Sequence, residues 1–314
     1  MELAQALDGF LLALEARGCR PATVKSYRMR LAGLVSFLSA RGVGDLGAVG
    51  PGDLDGWVVL LRRQRARWVD HPGRPEQVGG LSLATISGRI QSAKAFFDWC
   101  VRREYLEKSP ASHLRKPKVN NHCGCDKVMA VEDLARLVAV AEKQAAVGEP
   151  RDLALLVFLV ETGCRAGEAA SLRLSRLDLG SGDGVVEGKT GERMVDFTEV
   201  TVEALEKWLA VRPAVDHDFV WVGRYRGKSL SASGVYGVLR RLAREAGIEG
   251  RFNPQSIRHL VGQTWTDGAN LELARQKLGH EDVRTTAMFY ANQDRERVKA
   301  ATRKLSLVND KVGR

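Results

Sequence analysis

Apolar and polar residues alternate with the period of an α-helix along the first part of the chain. Apolar side chains recur every three or four residues between Leu3 and Leu14, and Gly18 ends that stretch. The same spacing predicts three further helices, which begin at Pro21, Asp53 and Ser82. The first part of the chain is therefore predicted to be mostly helical.

Two stretches rich in glycine and proline interrupt the helical pattern. Residues 69–80 are predicted to form a loop. Residues 114–127 offer little apolar surface to bury, which predicts a linker there. The chain is accordingly predicted to have a helical domain over residues 1–113 and a second domain over residues 128–314.

The second predicted domain mixes helices with short strands. Helical spacing predicts helices over Val131–Ala146 and Asp152–Glu161, and the second is apolar on nearly all sides, which indicates a buried helix. Alternating residues predict two short strands between Gly184 and Phe197 that turn near Thr190, and another strand over Phe219–Val222. The predicted fold class is mainly α with a small β-sheet. Further helices are predicted over residues 200–211, 232–246, 254–267, 271–278, 283–290 and 292–305.

Charge points to the kind of partner. The chain has 314 residues, enough for two domains, and its 48 Lys and Arg against 38 Asp and Glu give a net charge of +10. Such a balance indicates a polyanionic partner, most commonly nucleic acid. A basic linker and an arginine cluster after the third helix suit contact with phosphates, although ordinary solvated surfaces have the same composition. The candidate DNA contacts are Arg62, Arg63, Arg65 and Arg67 in the cluster, and Lys116 and Lys118 in the linker.

The sequence argues against secreted, membrane-spanning and zinc proteins. The amino terminus lacks the basic and apolar regions of a signal peptide, and no stretch approaches the roughly 18 apolar residues of a membrane span. The 5 cysteines have no framework spacing, which suits a reducing cytosol. His122-Cys-Gly-Cys125 lacks the second pair of ligands that a zinc site needs. We therefore expect a cytoplasmic protein without a membrane span or a bound metal.

Four short motifs in the second domain carry the candidate chemistry. A tyrosine can attack a phosphodiester, and the attack places extra negative charge on the non-bridging oxygens of phosphorus. Fixed cations stabilise that charge, and arginine suits the task because its planar guanidinium stays charged and binds two oxygens at once. In chain order the motifs are Thr162-Gly-Cys-Arg165-Ala-Gly-Glu168, Gly188-Lys189, Arg258-His259, and Leu278-Gly-His280 followed by Tyr290.

In their order and spacing, these motifs resemble the tyrosine recombinase (phage integrase) superfamily. The resemblance covers nearly the full length of the chain. Residues 83–111 are similar to the end of the family's helical core-binding domain, and residues 128–314 are similar to its catalytic domain. It implies a helical, SAM-like DNA-binding domain joined to a mixed α/β catalytic domain. Because the chain begins almost directly with the first of these, it looks like the simpler Xer or Cre type, without an arm-binding domain.

The resemblance also implies a role for each motif residue. Arg165 and Arg258 are expected to hold the phosphate, and Lys189 to protonate the departing 5′ oxygen. His280 is expected to donate a hydrogen bond to the same phosphate, while Tyr290 attacks and forms a 3′-phosphotyrosyl link. Tyr290 lies ten positions after His280, where a spacing of nine positions is the commonest in the family.

The sequence departs from the family pattern at one position. A histidine usually stands three residues before the second arginine, but here Gln255 does. Glutamine donates hydrogen bonds but cannot transfer a proton at neutral pH. The neighbouring His259 is expected to support the site from behind, since adjacent residues on a helix point about 100° apart. Glu168 is expected to be a structural partner of Arg165.

The activity that the resemblance implies is site-specific DNA recombination or integration, without metal, ATP or another cofactor. The expected partner is double-stranded DNA with inverted-repeat core sites, bound by two protomers per site and four in the synapse. An accessory or directionality factor is a further partner of such enzymes. Recombination would place the protein in the cytoplasm, associated with the nucleoid.

Two other functions stay open from the sequence alone. Gln255 favours a catalytically weak DNA-binding accessory factor of the same fold. The same chemistry without strand exchange would make the protein a type IB-like enzyme that nicks and reseals DNA. The amphipathic tail over residues 294–308 is compatible with docking into a neighbouring protomer and with packing within its own chain.

Overall fold

The computed structural model describes residues 1–67, 77–118, 129–189, 191–224, 227–249, 252–268 and 270–279. Its contacts divide the chain into two units, Met1–Asn121 and His122–Arg314. The division falls within the stretch for which composition predicts a linker. The DNA-binding and catalytic roles of the two domains stay predictions.

Four long helices build the first unit, and three of them begin at a proline or after a capping serine. Pro21 occupies the first position of its helix, where its missing N–H costs nothing. The Ser82 side chain accepts a hydrogen bond from the backbone N–H of Thr85 and so caps the fourth helix. The helices are α1 (Leu3–Ala16), α2 (Pro21–Ala40), α3 (Pro51–Arg63) and α4 (Leu83–Arg102).

A short strand pair lies within the segment that follows α3. Strands β1 (Ala66–Arg67) and β2 (Gln77–Val78) pair in antiparallel register, Ala66 opposite Val78. The predicted loop over residues 69–80 is therefore wrong at residues 77 and 78, because backbone pairing there does not require the apolar alternation on which a strand prediction rests. Residues 68–76 lie outside the described part of the chain.

Aromatic side chains fill the core of the first unit. Phe10 of α1 contacts Tyr27, Phe96 and Trp99 edge to face, with ring centroids 5.4 to 5.6 Å apart. Such pairs add about 0.5–1.5 kcal/mol each beyond the area that they bury. Leu114 is buried in the same core, so the chain stays packed against the helices up to the start of the predicted linker.

The second unit packs seven helices around a three-stranded antiparallel sheet in the part of the chain that the structure describes. The sheet order is β3-β4-β5, and the last two strands form the predicted hairpin. The strands are β3 (Leu177–Asp178), β4 (Asp183–Gly188) and β5 (Gly191–Asp196). The helices are α5 (Val131–Ala146), α6 (Arg151–Thr162), α7 (Ala166–Ala170), α8 (Glu199–Val211), α9 (Ala232–Glu245), α10 (Pro254–Gly268) and α11 (Leu271–Leu278).

The helix α6 forms the centre of this unit, as its apolar character predicts. Its residues Leu155, Leu156 and Phe158 are completely buried, with 0% of their surface exposed. At its end, Glu161 accepts hydrogen bonds from the backbone and hydroxyl of Thr198 at 2.7 and 2.6 Å, and from Thr201 at 2.9 Å. These bonds satisfy the backbone N–H of Thr198 and two hydroxyl groups at the start of α8, and they hold the two helices together.

The predicted strand over Phe219–Val222 is wrong as a continuous element. Phe219 makes an isolated bridge with Arg173, and Val222 makes another with Ser229. The segment divides its backbone hydrogen bonds between two different neighbours, so no single ladder forms. The predicted helices over 283–290 and 292–305 lie outside the described residues. Within the described residues, no helix is both long enough and apolar enough to span a membrane.

Candidate active site around Glu168

The end of α6 brings the first motif into contact with the last. Gly163 follows the helix with a left-handed backbone (φ 60°), and a Cβ there would lie 2.7 Å from Leu278 Cδ2. Only glycine fits this turn without strain. The turn aims the Gly163 carbonyl at Arg258, whose Nη1 donates to it at 2.7 Å. The chain then continues through Cys164 into α7.

The short helix α7 places Arg165 and Glu168 together. Arg165 precedes the helix, and its backbone N–H donates to Glu168 Oε2 at 3.1 Å. Its guanidinium Nη1 donates to Glu168 Oε1 at 2.5 Å. The Glu168 side chain is 3% exposed and that of Arg165 is 40% exposed, so the arginine can still reach a ligand in solvent.

Arg258 lies beneath this pair on α10. It is 1% exposed, its Nη2 donates to the Leu278 carbonyl at 2.6 Å, and its Nη1 lies 3.9 Å from Glu168 Oε2. Burial, followed by the positive charge of Arg165, lowers the pKa of Arg258 to about 10. The guanidinium therefore keeps its charge at neutral pH in surroundings that screen it little.

A third arginine, which lies in none of the four motifs and was not predicted from the sequence, completes the cluster. Arg193 of β5 donates to Glu168 Oε2 from Nη2 at 2.9 Å and from Nε at 3.3 Å. Its Nη1 donates to the Lys277 carbonyl at 3.2 Å, and its Nη2 lies 3.3 Å from Cys164 Sγ. A signal for it existed, because strand alternation puts Arg193 on the same face as the buried Val195.

Glu168 stays ionised because of these arginines. Burial alone would raise the pKa of Glu168, but the positive charge of Arg193 and hydrogen bonds from Arg165 outweigh that effect and lower the pKa. Three positive charges against one negative charge leave this cluster with a surplus of two. Such a surplus favours an anion with several oxygens, and phosphate has the geometry that arginine prefers.

The hairpin lysine directly follows a glycine that lies close to the same carboxylate. A Cβ at Gly188 would lie 2.9 Å from Glu168 Oε1, so glycine allows the end of β4 to approach it. Ser171 accepts a hydrogen bond from the Glu187 backbone N–H at 2.8 Å and thereby ties α7 to β4. Lys189 follows directly in the turn, with its side chain exposed to solvent.

The substituted position lies on the first turn of α10. Gln255 is exposed, one helical turn before the buried Arg258. The Asn253 side chain caps this helix by accepting from the backbone N–H groups of Gln255 and Ser256, at 2.9 and 3.3 Å. His259 is 5% exposed and points into the unit.

The remaining predicted residues fall into two groups. His280, Tyr290, the side chain of Arg67, and the His122–Cys125 segment lie outside the described residues. The described candidate DNA contacts are exposed at the surface of the first unit, and one of them donates to Gln91 Oε1 at 2.6 Å. Among the described residues, no three histidine, cysteine or acidic side chains are placed to hold a metal. The candidate DNA contact that donates to Gln91 is Lys116. The other described candidates are Arg62, Arg63, Arg65 and Lys118.

Solved structures share this architecture. The λ integrase dimer bound to a COC′ core site superposes with a TM-score of 0.69 at 16% identity, covering 94% of this chain and 79% of that one. The XerH recombinase bound to its difH substrate superposes with a TM-score of 0.68 at 22% identity, covering 94% and 83%. The chain thus has the fold of tyrosine recombinases and integrases, mainly α with a small β-sheet.

Sequence comparison gives the family. The model of the phage integrase family matches residues 127–297, more than half of the chain. The tyrosine recombinase XerD of Listeria monocytogenes is 27% identical over 282 residues, covering 87% of this chain and 89% of that protein. The chain belongs to the phage integrase family of tyrosine-class, site-specific DNA recombinases.

Proposed function

We propose that the protein cuts and rejoins duplex DNA at specific sites through a 3′-phosphotyrosyl intermediate at Tyr290. The observation that carries the proposal is the arginine cluster, in which Arg165, Arg193 and Arg258 share the single carboxylate of Glu168. This arrangement is matched to a phosphodiester that gains charge as it is attacked. Family membership supports the same reaction.

In the proposed cleavage step, the phenolic oxygen of Tyr290 forms a bond to phosphorus while the bond from phosphorus to the 5′ oxygen breaks. Lys189 gives its proton to that oxygen, so a free 5′ hydroxyl leaves. The new phosphotyrosyl ester retains the energy of the broken bond. Attack by a 5′ hydroxyl reverses the step and rejoins the strand, and neither direction consumes a cofactor.

The two predicted arginines contribute from different depths. Arg165 has 40% of its side chain exposed and is the group that contacts the non-bridging oxygens directly. Arg258 uses two of its five N–H donors on backbone carbonyls and stabilises the developing charge from below. One preorganised donor of this kind is worth about 3 kcal/mol of transition-state stabilisation. His280 donates a further hydrogen bond to the phosphate.

Gln255 takes the place of a proton-transferring group in this scheme. It is exposed on the first turn of α10, where its amide can donate a hydrogen bond to phosphate. A proton from Tyr290 then passes to water instead of a histidine. His259 and Glu168 act on the arginines from behind and do not touch the substrate.

The proposed partner is double-stranded DNA with inverted-repeat core sites. Two protomers occupy each site, four form the synapse, and an accessory factor sets the direction of exchange. The λ integrase structure, a dimer bound to a core site, supports DNA as the partner and two protomers at each site, and the XerH structure, bound to its difH substrate, supports DNA as the partner.

Covalent capture of DNA tests the proposal. Purified protein and its Tyr290→Phe variant would be mixed with nicked suicide duplexes tiled from the DNA that flanks the protein's own gene. A nick close to the cleavage site lets the short fragment that bears the free 5′ hydroxyl diffuse away, so the phosphotyrosyl adduct accumulates and is visible on a denaturing gel. We expect an adduct with the native protein and none with the variant.

Other outcomes separate the alternatives. Sequence-specific binding without any adduct would overturn the proposed enzyme and favour an accessory factor, which Gln255 would explain. An adduct that resolves by nicking and resealing, with no need for paired sites, would favour a type IB-like activity. An adduct that persists in Tyr290→Phe would place the nucleophile elsewhere.

A further inference from the structure

We propose that Arg193 is a positioning residue that holds the hairpin lysine, Lys189, in place to protonate the departing 5′ oxygen. The inference rests on the proposed function, because it concerns the lysine's role in cleavage. Arg193 lies outside the four motifs. Its contacts nevertheless join three separate elements of the cluster.

The contacts of Arg193 run in three directions. Toward α7, its Nε and Nη2 donate to Glu168 Oε2 at 3.3 and 2.9 Å. Toward the end of α11, its Nη1 donates to the Lys277 carbonyl at 3.2 Å. Toward the end of α6, its Nη2 lies 3.3 Å from Cys164 Sγ. With 18% of its side chain exposed, it is largely removed from solvent.

The hairpin transmits this anchoring to the lysine. Strands β4 and β5 pair from Asp183 opposite Asp196 to Gly188 opposite Gly191, and Lys189 lies in the turn beyond the last pair. Both strands meet Glu168: β5 through Arg193, and β4 through Gly188, where a Cβ would lie 2.9 Å from Glu168 Oε1. Both strands of the hairpin thus contact the carboxylate. These two contacts determine where the turn lies relative to Arg165.

Arginine is needed here for its shape as well as its charge. Its fork presents donors in fixed directions, and Arg193 uses them on a carboxylate, a carbonyl and a sulfur atom. Lysine in its place keeps the charge but concentrates all donors on one nitrogen. Arg193→Lys should therefore preserve the electrostatics of the cluster while loosening the hairpin.

The end of α11 packs against the same side chain. Gly279 has a left-handed backbone (φ 63°), and a Cβ there would lie 2.6 Å from Arg193 Cδ. The next residue is His280. Arg193 therefore borders both the hairpin and the chain that leads to the late histidine, so an experiment must distinguish these two routes.

A sulfur atom in place of the bridging 5′ oxygen makes that distinction. A thiol has a pKa of about 8.5, so it departs as a thiolate and needs no proton from the enzyme. A variant whose defect lies in protonation recovers on this DNA, whereas one whose defect lies in holding the phosphate does not. The duplex to use is the one that the native protein cleaves in the capture assay.

We expect Lys189→Ala to slow cleavage of the ordinary duplex about 10²- to 10⁴-fold, the usual contribution of a general acid. Arg193→Lys should slow it about 10²-fold, and both variants should return to within about tenfold of the native rate on the sulfur duplex. The double variant should be no slower than Lys189→Ala alone on the ordinary duplex, because the lysine that Arg193 positions is already absent. The control is Arg176→Lys, which alters an exposed arginine 3.2 Å from Glu192 of the same hairpin and should keep the native rate.

The outcomes are separable. If Lys189→Ala recovers on the sulfur duplex and Arg193→Lys does not, the positioning role is wrong and the proposed function stands. If Lys189→Ala fails to recover, the lysine is not the acid and the inference is overturned with that part of the proposed function. If Arg193→Lys does not fold, Gly188→Ala disturbs the contact of the hairpin with Glu168 from the β4 side. Recovery of cleavage by Gly188→Ala on the sulfur duplex supports the inference. Failure of that variant to recover overturns it.

Discussion

Burying a carboxylate costs several kcal/mol unless cations and hydrogen bonds offset its lost hydration. The Glu168 side chain is 3% exposed, and Arg165, Arg193 and Arg258 surround it. The carboxylate is thus the common support of the cluster. Without it, three cations would repel each other in a confined space.

Replacing this carboxylate by a neutral group tests that role. Glu168→Gln should lower the free energy of unfolding of the second unit by about 3 kcal/mol, in the range for breaking a buried ion pair. The substitution should also slow DNA cleavage, because the arginines lose the carboxylate that holds them in place. Thermal unfolding at pH 7 measures the change in stability. The control is Glu192→Gln, which alters a hairpin carboxylate whose side chain is 57% exposed.

The stabilisation by Glu168 should depend on pH with a defined sign. Its pKa in the folded protein lies below the value of about 4.3 expected in the unfolded chain. The contribution is therefore complete above about pH 4.3 and is lost as the pH falls through the lower folded pKa. The difference in melting temperature between native protein and Glu168→Gln should shrink toward pH 3. A difference that stays constant over this range would contradict the prediction.

At the scale of elements, the end of α6 controls how the motifs meet. Gly163 has a φ of 60°, where a side chain costs about 1–2 kcal/mol of backbone strain. A Cβ there would also lie 2.7 Å from Leu278 Cδ2, across the contact between α6 and α11. The Gly163 carbonyl that accepts from Arg258 would have to move with the turn.

Gly163→Ala should therefore destabilise the second unit by at least about 1–2 kcal/mol and weaken cleavage. The matched control is Gly237→Ala in α9, where a Cβ meets nothing within 4 Å. Alanine there should stabilise the helix by about 0.5–1 kcal/mol. Thermal unfolding of both variants provides the comparison. Equal melting temperatures for the two variants would show that alanine at position 163 adopts the left-handed turn without strain.

Element predictions succeeded where periodicity had room to repeat. Residues 131–146 form the predicted helix α5, and the hairpin turns where predicted. The helix α7 has 5 residues and β3 has 2, so neither spans enough of the chain to show a period. The helix α3 begins at Pro51, two residues before its predicted start, because proline is well accommodated at a first helical position.

At the scale of the whole molecule, a net charge of +10 predicts salt-dependent DNA binding. The logarithm of the binding constant falls with the logarithm of salt concentration, with a slope of about −0.9 per phosphate neutralised. Replacing Arg62, Arg63 and Arg65 by glutamine should reduce the steepness by about 0.9 for each residue that contacts a phosphate. Fluorescence anisotropy at 4 or 5 salt concentrations, roughly 50–300 mM, measures the slope.

Lys116→Gln with Lys118→Gln tests the linker in the same way. The control is Lys207→Gln in α8, since Lys207 Nζ already lies 3.8 Å from Glu203 Oε2 and has less charge to offer DNA. A slope that the arginine variant leaves unchanged would identify the cluster as a solvated face. A slope that Lys207→Gln reduces as much would show that the effect is one of net charge only.

The sequence by itself determined the long helices, the hairpin, the fold class and the family, because apolar periodicity and motif spacing are properties of neighbouring residues. Only the tertiary structure showed that Arg193 joins Arg165 and Arg258 at Glu168. Arg193 lies 25 residues from Glu168 in sequence and belongs to none of the motifs. Its contact with that carboxylate depends on how β5 packs on α7. Contacts of this kind arise from the packing of elements, and no local pattern encodes them.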